Sequence, residues 1–344
     1  MGTSELNNNS SRRPTLKSFA YASPTTEGEA LSLLAEPGEI EILAGGTDLV
    51  GLLKKMILTP DLVVNIRDIP SLKTIEQLDG GAIAIGAAVT LDEVLAHPYL
   101  DPYPAIGQAI QGISSMQLQC QGTIGGEVLQ RPQCWYFRGG RGLLAAGGSA
   151  VEEGDSRYHA IFGNEGAAKF VSASRIAPAL IALGATARVI GPTEEDEQFL
   201  PIEQLFRVPR HEGERENVLA RGQFLTHIIL PDRRNFASAT YEVRHGEGPD
   251  FPLASAAASL RIEGGIVREA GIILGQVAPT PWISHEAAAA LIGQPVNEQT
   301  AEAAGLAAVA FARPLNHNAY KVQLAKTAVK RAILRAAGQE TGGF

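Results

Sequence analysis

The residues best placed to do chemistry in this chain are two glycine-rich turns, and the chemistry they suit is holding an anion. Leu43-Ala44-Gly45-Gly46-Thr47-Asp48-Leu49, with Lys54 after it, follows the short strand pattern Glu39-Ile40-Glu41-Ile42. Adjacent glycines let the backbone take positive φ and approach a ligand with no Cβ in the way. Consecutive N–H groups in such a turn form a concave anion site, and the Thr47 hydroxyl adds a donor. A pyrophosphate meets that description. Gln121-Gly122-Thr123-Ile124-Gly125-Gly126-Glu127 is a second segment of the same kind. One Gly-Gly pair is an ordinary turn. Two, each with a threonine beside the glycines and each next to a short apolar run, point to a nucleotide held between two lobes.

Bulk properties narrow the setting. A chain of 344 residues has room for two or three domains and an ample core. Its net charge of −8 argues against nucleic acid, which needs a basic footprint. No apolar run reaches the ~18 residues of a membrane span. Met1 to Pro14 is polar, lacks the apolar segment of a signal peptide and reads as a disordered tail. Cys120 and Cys134 are the only cysteines, too few by themselves for an iron–sulfur cluster or a structural zinc. Two reduced thiols in a cytoplasmic-type protein are the plain reading.

The elements that must position the turns follow from pattern. Thr25 to Leu34 reads as a helix started by Ser23-Pro24, Ile40 to Leu43 as a strand, Leu49 to Met56 as a helix and Asp61 to Ile66 as a strand. This makes a small α/β unit closing near residue 70. Thr74–Leu78 and Ala82–Ile85 flank Asp79-Gly80-Gly81, a hairpin signal. Thr90 with Glu93 is a capping box opening a short helix to Leu95, and Ala105 to Ile113 is a further helix. Residues 138–156 are Gly- and Ala-rich without periodicity, a long loop of the kind that is functional or disordered. Ile176–Leu183 is a helix, Thr186–Ile190 and Phe224–Leu230 are strands, and the acidic run Glu194 to Glu197 is a solvated turn. Beyond a boundary at Asp232–Asn235, Leu253–Ile262 and Ile266–Leu274 form a hairpin followed by helices near 285–292, 299–312 and 320–336. That is a small antiparallel sheet carrying helices.

An ordered set of motifs then carries a resemblance. It comprises Phe19-Ala20-Tyr21, the two glycine turns, Gln130-Arg131-Pro132-Gln133-Cys134-Trp135-Tyr136-Phe137-Arg138, Arg157-Tyr158-His159-Ala160-Ile161, Pro281-Trp282 and His317-Asn318-Ala319-Tyr320-Lys321. Over residues 18–338 the chain resembles the FAD-binding subunit of molybdenum hydroxylases, the xanthine dehydrogenase and aldehyde oxidoreductase family, and most closely the bacterial aldehyde oxidoreductase branch. The resemblance implies an α+β fold. A two-lobed FAD-binding domain of the vanillyl-alcohol-oxidase type (lobes 18–72 and 73–232, after a tail at 1–17) precedes a small C-terminal domain at 235–338 like that of the carbon monoxide dehydrogenase flavoprotein. By carry-over, Leu43, Ala44, Gly45, Gly46, Thr47, Asp48 and Leu49 form the first FAD loop, with Lys54 beyond it. Gly122, Thr123, Gly125, Gly126 and Glu127 form the second, and Arg175 and Leu225 complete the cofactor set. The partners implied are a large subunit with the molybdenum cofactor and a small subunit with two-iron two-sulfur clusters, in the cytoplasm unless a partner's signal carries the assembly to the periplasm. The cofactor does the chemistry in such subunits, so no catalytic acid, base or metal ligand is demanded of this chain.

The chain departs from the family pattern at three charged positions. Glu127 stands where Asn is usual, Arg175 where Asp is usual and Glu242 where Lys is common. A carboxylate close to a pyrophosphate weakens binding unless it is paired, and Glu127 with Arg175 is the pairing the sequence suggests. The close branch also carries a four-iron four-sulfur cluster in the loop corresponding to 134–168. Of its cysteines only Cys134 remains here, so no such cluster is expected.

Other residues have plainer readings. His159 is a packed loop histidine rather than a metal ligand, and His317 and Asn318 are read as caps of the last helix. Trp135, Tyr136 and Phe137 suit either stacking on the cofactor, packing in the core or a subunit interface. Two further functions stay open from the sequence. One is a degenerate relative that has lost FAD and serves as a structural or assembly subunit. The other is a free-standing flavin oxidoreductase. A flavin absorption band excludes the first, and purification with a molybdenum-containing subunit disfavours the second.

Overall fold

A computed structural model describes residues 16–246, 250–339 and 341. The tail Met1–Pro14 lies outside them. Lys17 is anchored, its Nζ donating to Thr59 O and pairing with Asp61, both at 2.8 Å.

Three sheets organise the chain. Strands β1 (Ala20–Ala22), β2 (Ile40–Leu43) and β3 (Leu62–Asn65) form a parallel sheet with β3 central, Ile40 and Ala20 both opposite Leu62. Helix Glu27–Leu34 covers it through Ala30, Leu31 and Leu34. This helix starts later than Ser23-Pro24 suggests, because Thr26 is the residue whose side chain accepts the Glu29 N–H. Strands β4 (Ile75–Gln77), β5 (Ile83–Gly86), β6 (Thr186–Ile190), β7 (Glu197–Pro201) and β8 (Phe224–Leu230) make an antiparallel sheet in the order β4-β5-β8-β6-β7. Strands β9 (Ala237–Val243), β10 (Ala254–Glu263), β11 (Ile266–Gly275) and β12 (Trp282–Ile283) make a second antiparallel sheet, order β12-β11-β10-β9. Helices His285–Leu291, Glu298–Ala308 and Tyr320–Ala336 pack on that sheet around an alanine-rich core. The fold is α+β. No helix of the described residues is long and apolar enough to cross a membrane.

Several elements escape the sequence pattern. β7 opens inside the acidic run, and its outward side chains hide any alternation; only Glu194 to Asp196 remain a solvated turn. β9 is built mostly of small residues. The long loop is not structureless: a single turn of helix at Ser149–Glu153 interrupts it, and Glu212 accepts the N–H groups of Leu143 and Leu144 at 2.7 and 2.9 Å.

Candidate functional site

The first glycine turn leaves β2 at Leu43 and ends in the short helix Leu49–Lys54. Gly46 has φ +71°, a conformation that costs other residues dearly. A Cβ on Gly45 would run into the carbonyl oxygen of Gln121, and the Gln121 amide donates to Gly45 O at 3.1 Å. The first turn is thereby laid against the second glycine segment. Among the described residues, none of the backbone N–H groups from Gly45 to Asp48 has a hydrogen-bond acceptor. Four consecutive unused donors, three of them on residues that line a cleft (Gly45, Gly46 and Asp48), suit an anionic ligand.

The second segment does a different job. Its N–H groups are already spent: Ile124 N donates to Val89 O, Gly125 N to Ala87 O, Gly126 N to the Thr123 hydroxyl and Glu127 N to Thr123 O. A Cβ on Gly125 would lie 2.7 Å from the Ala87 Cβ. Gly125 and Gly126 therefore supply space rather than donors. Of the two segments expected to cradle an anion, only the first keeps a row of backbone N–H donors without acceptors among the described residues.

Between them lies a cavity of about 500 Å³, within the range of cofactor sites. Of the residues singled out in the sequence, Ala44, Gly45, Gly46, Asp48 and Leu49 line it, with Gly125 and Gly126 from the second segment and Leu225 from β8. Leu43, Thr47, Gly122 and Thr123 sit one layer back. The Leu43 side chain lies against Gly46, and Thr47 Oγ1 lies beside Gly122. Lys54 is exposed at the far end of its helix and does not border the cavity.

The far wall was not read from the sequence. Arg207, Arg215, Asn217 and the stretch Leu219–Phe224 form it, and Arg131 adds a further guanidinium. Arg215 pairs with Glu41, and Arg131 with Glu216. Arg207 has no acidic partner among the described residues. The signal available was a run of arginines at 207, 210, 215 and 221 within an acidic chain.

Asp48 is committed elsewhere in the fold. Its carboxylate pairs with Arg138 at 2.5 Å and accepts the Arg131 N–H at 2.9 Å, while Arg138 also donates to the carbonyls of Arg131 and Pro132. The segment 131–138 is thus wrapped around one carboxylate of the first turn. Its aromatic run divides: Phe137 is buried with Leu52, Leu143 and Phe170, Tyr136 donates to and accepts from Asp155, and Trp135 is exposed.

Glu127 and Arg175 meet, but not as a simple ion pair. The Arg175 backbone N–H donates to Glu127 Oε1 at 2.7 Å. Its guanidinium goes instead to Glu242 at 3.7 Å and to the carbonyls of Gly112 and Asp250. None of the three departing residues is an ordinary surface position. Burial, outweighing the Arg175 interactions, pushes the Glu127 carboxyl up to about 7.

His159 is buried, its Nε2 lying 3.2 Å from Cys134 Sγ. Burial, then the neighbouring Lys321, pull it down to about 4, so it is a neutral packed ring at pH 7. Cys120 and Cys134 are both free. Asn318 does not cap the last helix. It is buried, its amide donates to the carbonyls of His159 and Ala160, and it accepts from Leu315 N, so the position is used to fasten a loop. His317 uses its N–H on Ser156 Oγ.

Comparison with known proteins adds the following. Residues 17–233 match the family described as FAD binding domain in molybdopterin dehydrogenase, and residues 239–336 match the CO dehydrogenase flavoprotein C-terminal domain. The aldehyde oxidoreductase FAD-binding subunit PaoB of Escherichia coli K12 is 30% identical over 330 residues, covering 94% of this chain and 100% of the relative. The carbon monoxide dehydrogenase medium chain of Hydrogenophaga pseudoflava is 26% identical over 322 residues, 92% of this chain and 96% of the relative. Among solved structures, quinoline 2-oxidoreductase from Pseudomonas putida 86 superposes with TM-score 0.75 at 21% identity, over 94% of this chain and 99% of that one, a likeness of fold.

Proposed function

The chain belongs to the FAD-binding subunit family of molybdenum hydroxylases, and from that premise we propose that it holds FAD with the pyrophosphate at Gly45–Asp48 and the second glycine segment closing over it. It is an oxidoreductase flavoprotein subunit with FAD as its cofactor. The observation that carries the site assignment is the row of four unused N–H donors beside the cavity. Bound FAD supplies electron relay, from iron–sulfur clusters of a partner to an acceptor.

The residues of this chain bind and orient. Gly45 lets the first turn lie against Gln121, Gly46 takes the positive φ that the turn needs, Gly125 lets the second segment pack on Ala87, and Arg207 offers the pyrophosphate a cation without an acidic partner among the described residues. Leu49 and Leu225 give the cavity apolar walls. Catalytic acid and base roles are assigned to none of them. The partners we assign are a large molybdenum-cofactor subunit and a small two-iron two-sulfur subunit, and the place is the cytoplasm, where two free thiols persist.

Attachment of the flavin is non-covalent, since neither glycine segment contains His or Cys outside the exposed Cys120 that precedes the second. Gly46→Val puts a branched Cβ where φ is +71° and Leu43 and Val50 already crowd the position. The purified variant is expected to lose most of its flavin absorption while keeping its fold by circular dichroism. Full flavin content in Gly46→Val, or flavin that stays with the precipitate after acid, overturns the assignment.

A further inference from the structure

Behind the second glycine segment lies a charge cluster, buried at Arg175 and half-buried at Glu127 and Arg244, that cofactor binding does not use. Two carboxylates, Glu127 and Glu242, share it with Arg175 and Arg244. Glu242 lies between the guanidiniums of Arg175 at 3.7 Å and Arg244 at 3.8 Å, and neither of its oxygens makes a hydrogen bond. Gly112 leaves room for this carboxylate, since a Cβ there would stand 2.6 Å from Glu242 Oε2 and make it shift. Arg175 is held rigidly: its guanidinium is spent on the carbonyls of Gly112 and Asp250, and its side chain is 4% exposed. Only its backbone N–H reaches Glu127.

The consequence for Glu127 is an unbalanced charge. The two guanidiniums are drawn to Glu242 and to carbonyls, so ionised Glu127 has one N–H donor and no cation in contact. The charges that bear on it from beyond contact are the Arg175 guanidinium, which favours the carboxylate, and then the Glu242 and Asp48 carboxylates, which oppose it, Asp48 being itself paired with Arg138. Glu127 directly follows Gly125 and Gly126, which line the cleft, in a single turn of helix. Glu127 does not itself line the cleft, but Asp48 of the first turn is close enough for its charge to bear on Glu127, so a charge at Glu127 bears in turn on an anion held at that turn.

We propose that Glu127 is a proton-operated control on the affinity of the cofactor site: ionised, it opposes the bound pyrophosphate, and protonated, it does not. This rests on the reading of the cleft as the FAD site. Glu127 thereby acts as a positioning residue for charge and touches no reacting atom. The carboxyl changes state near neutral pH, because burial raises it to about 7 against the help of Arg175. Binding an anion raises it further, so affinity falls as pH rises through and above that value.

The test uses the full chain stripped of flavin and titrated with FAD, following flavin fluorescence from about pH 6 to about pH 8.5. Wild type is expected to bind roughly tenfold more weakly at the upper end. Glu127→Gln keeps an oxygen for the Arg175 N–H and removes the titration. It is expected to bind at every pH as tightly as wild type does at the lowest. A wild-type profile without slope, or a slope that survives in Glu127→Gln, overturns the proposal while leaving the FAD reading intact. A chain that binds no FAD at any pH overturns both. A second readout is independent of flavin. The folded-state value of Glu127 lies above its unfolded one, so its contribution to stability is present below about pH 4.5 and is lost as pH rises through about 7. Denaturant unfolding of the flavin-free chain should show that loss in wild type and not in Glu127→Gln. Identical profiles would show that the carboxyl does not titrate as proposed.

Discussion

Asp48 shows how a residue chosen for one job by its sequence context is used for another. Its position in a donor-rich turn suggests ligand contact. Yet its carboxylate is saturated by Arg138 and the Arg131 N–H. This removes a like charge from the neighbourhood of the pyrophosphate and fixes Arg131 at the cavity wall, where it lies over the Phe137 ring at 5.0 Å. Asp48→Ala leaves Arg138 without its carboxylate in a site where both side chains are about 15% exposed (14% and 16%). Removing one partner of a fully buried pair costs about 3–5 kcal/mol, and partial solvation brings the expected loss here to about 2–3 kcal/mol. Urea unfolding measures it, and flavin content should fall in parallel because Arg131 is released. Asp48→Asn, which keeps an acceptor, should lose about half as much. A stability unchanged in Asp48→Ala would mean that the 131–138 segment is held by other contacts.

At the scale of elements, what could be read in advance was what repeats. β2, β6, β8 and helix Tyr320–Ala336 begin and end where their apolar periodicity does, and the capping box at Thr90 and Glu93 is present in both directions. What could not be read was set by contacts distant in sequence. The cavity wall at 207–225 has no pattern of its own and is placed by Arg215 reaching Glu41 and by the Arg221 guanidinium reaching Glu36 O. The Glu127 environment depends on residues 112, 175, 242 and 250, brought together only by the fold. Lys321 belongs with these. It lies in the first turn of the last helix, fully buried, and donates to the carbonyls of His159 at 3.1 Å and Gln276 at 2.7 Å with no carboxylate of the described residues in contact. Burial lowers its amine to about 7. The unfolded chain therefore binds one more proton than the folded one from about pH 7 to about pH 10.4, and wild-type stability should rise across that window. Lys321→Met should flatten this part of the profile in pH-dependent denaturant unfolding. A slope equal to wild type would show that the amine stays charged in the fold.

At the scale of the whole molecule, a flavin subunit works only within electron-transfer reach of a neighbour, so part of its surface must be built for burial. The segment wrapped around Asp48 offers one. Arg131 lines the cavity at one end, and Trp135 emerges at the surface further along. There Trp135 packs edge-on against Tyr158 at 5.2 Å, Tyr158 against His245 at 6.0 Å, and Arg157 lies over both the Trp135 and Tyr158 rings. Tyr320 donates to Arg157 O and is, like Trp135 and Tyr158, nearly 40% exposed. Residues from the FAD-binding part and from the C-terminal domain thus share one aromatic and arginine patch. Such residues are enriched in the buried centre of interfaces and in the few contacts that dominate affinity. On the function proposed above, this patch is the expected docking surface for the iron–sulfur partner. Trp135→Ala with Tyr158→Ala removes two rings that are not in the core, so flavin content and stability should hold. Loss of a dominant contact costs about 2 kcal/mol or more, roughly thirtyfold in affinity. Co-expression with the partner subunits and purification through a tag on this chain should then recover wild-type flavin with little iron or molybdenum. Recovery of both metals at wild-type stoichiometry would place the docking surface elsewhere on the molecule.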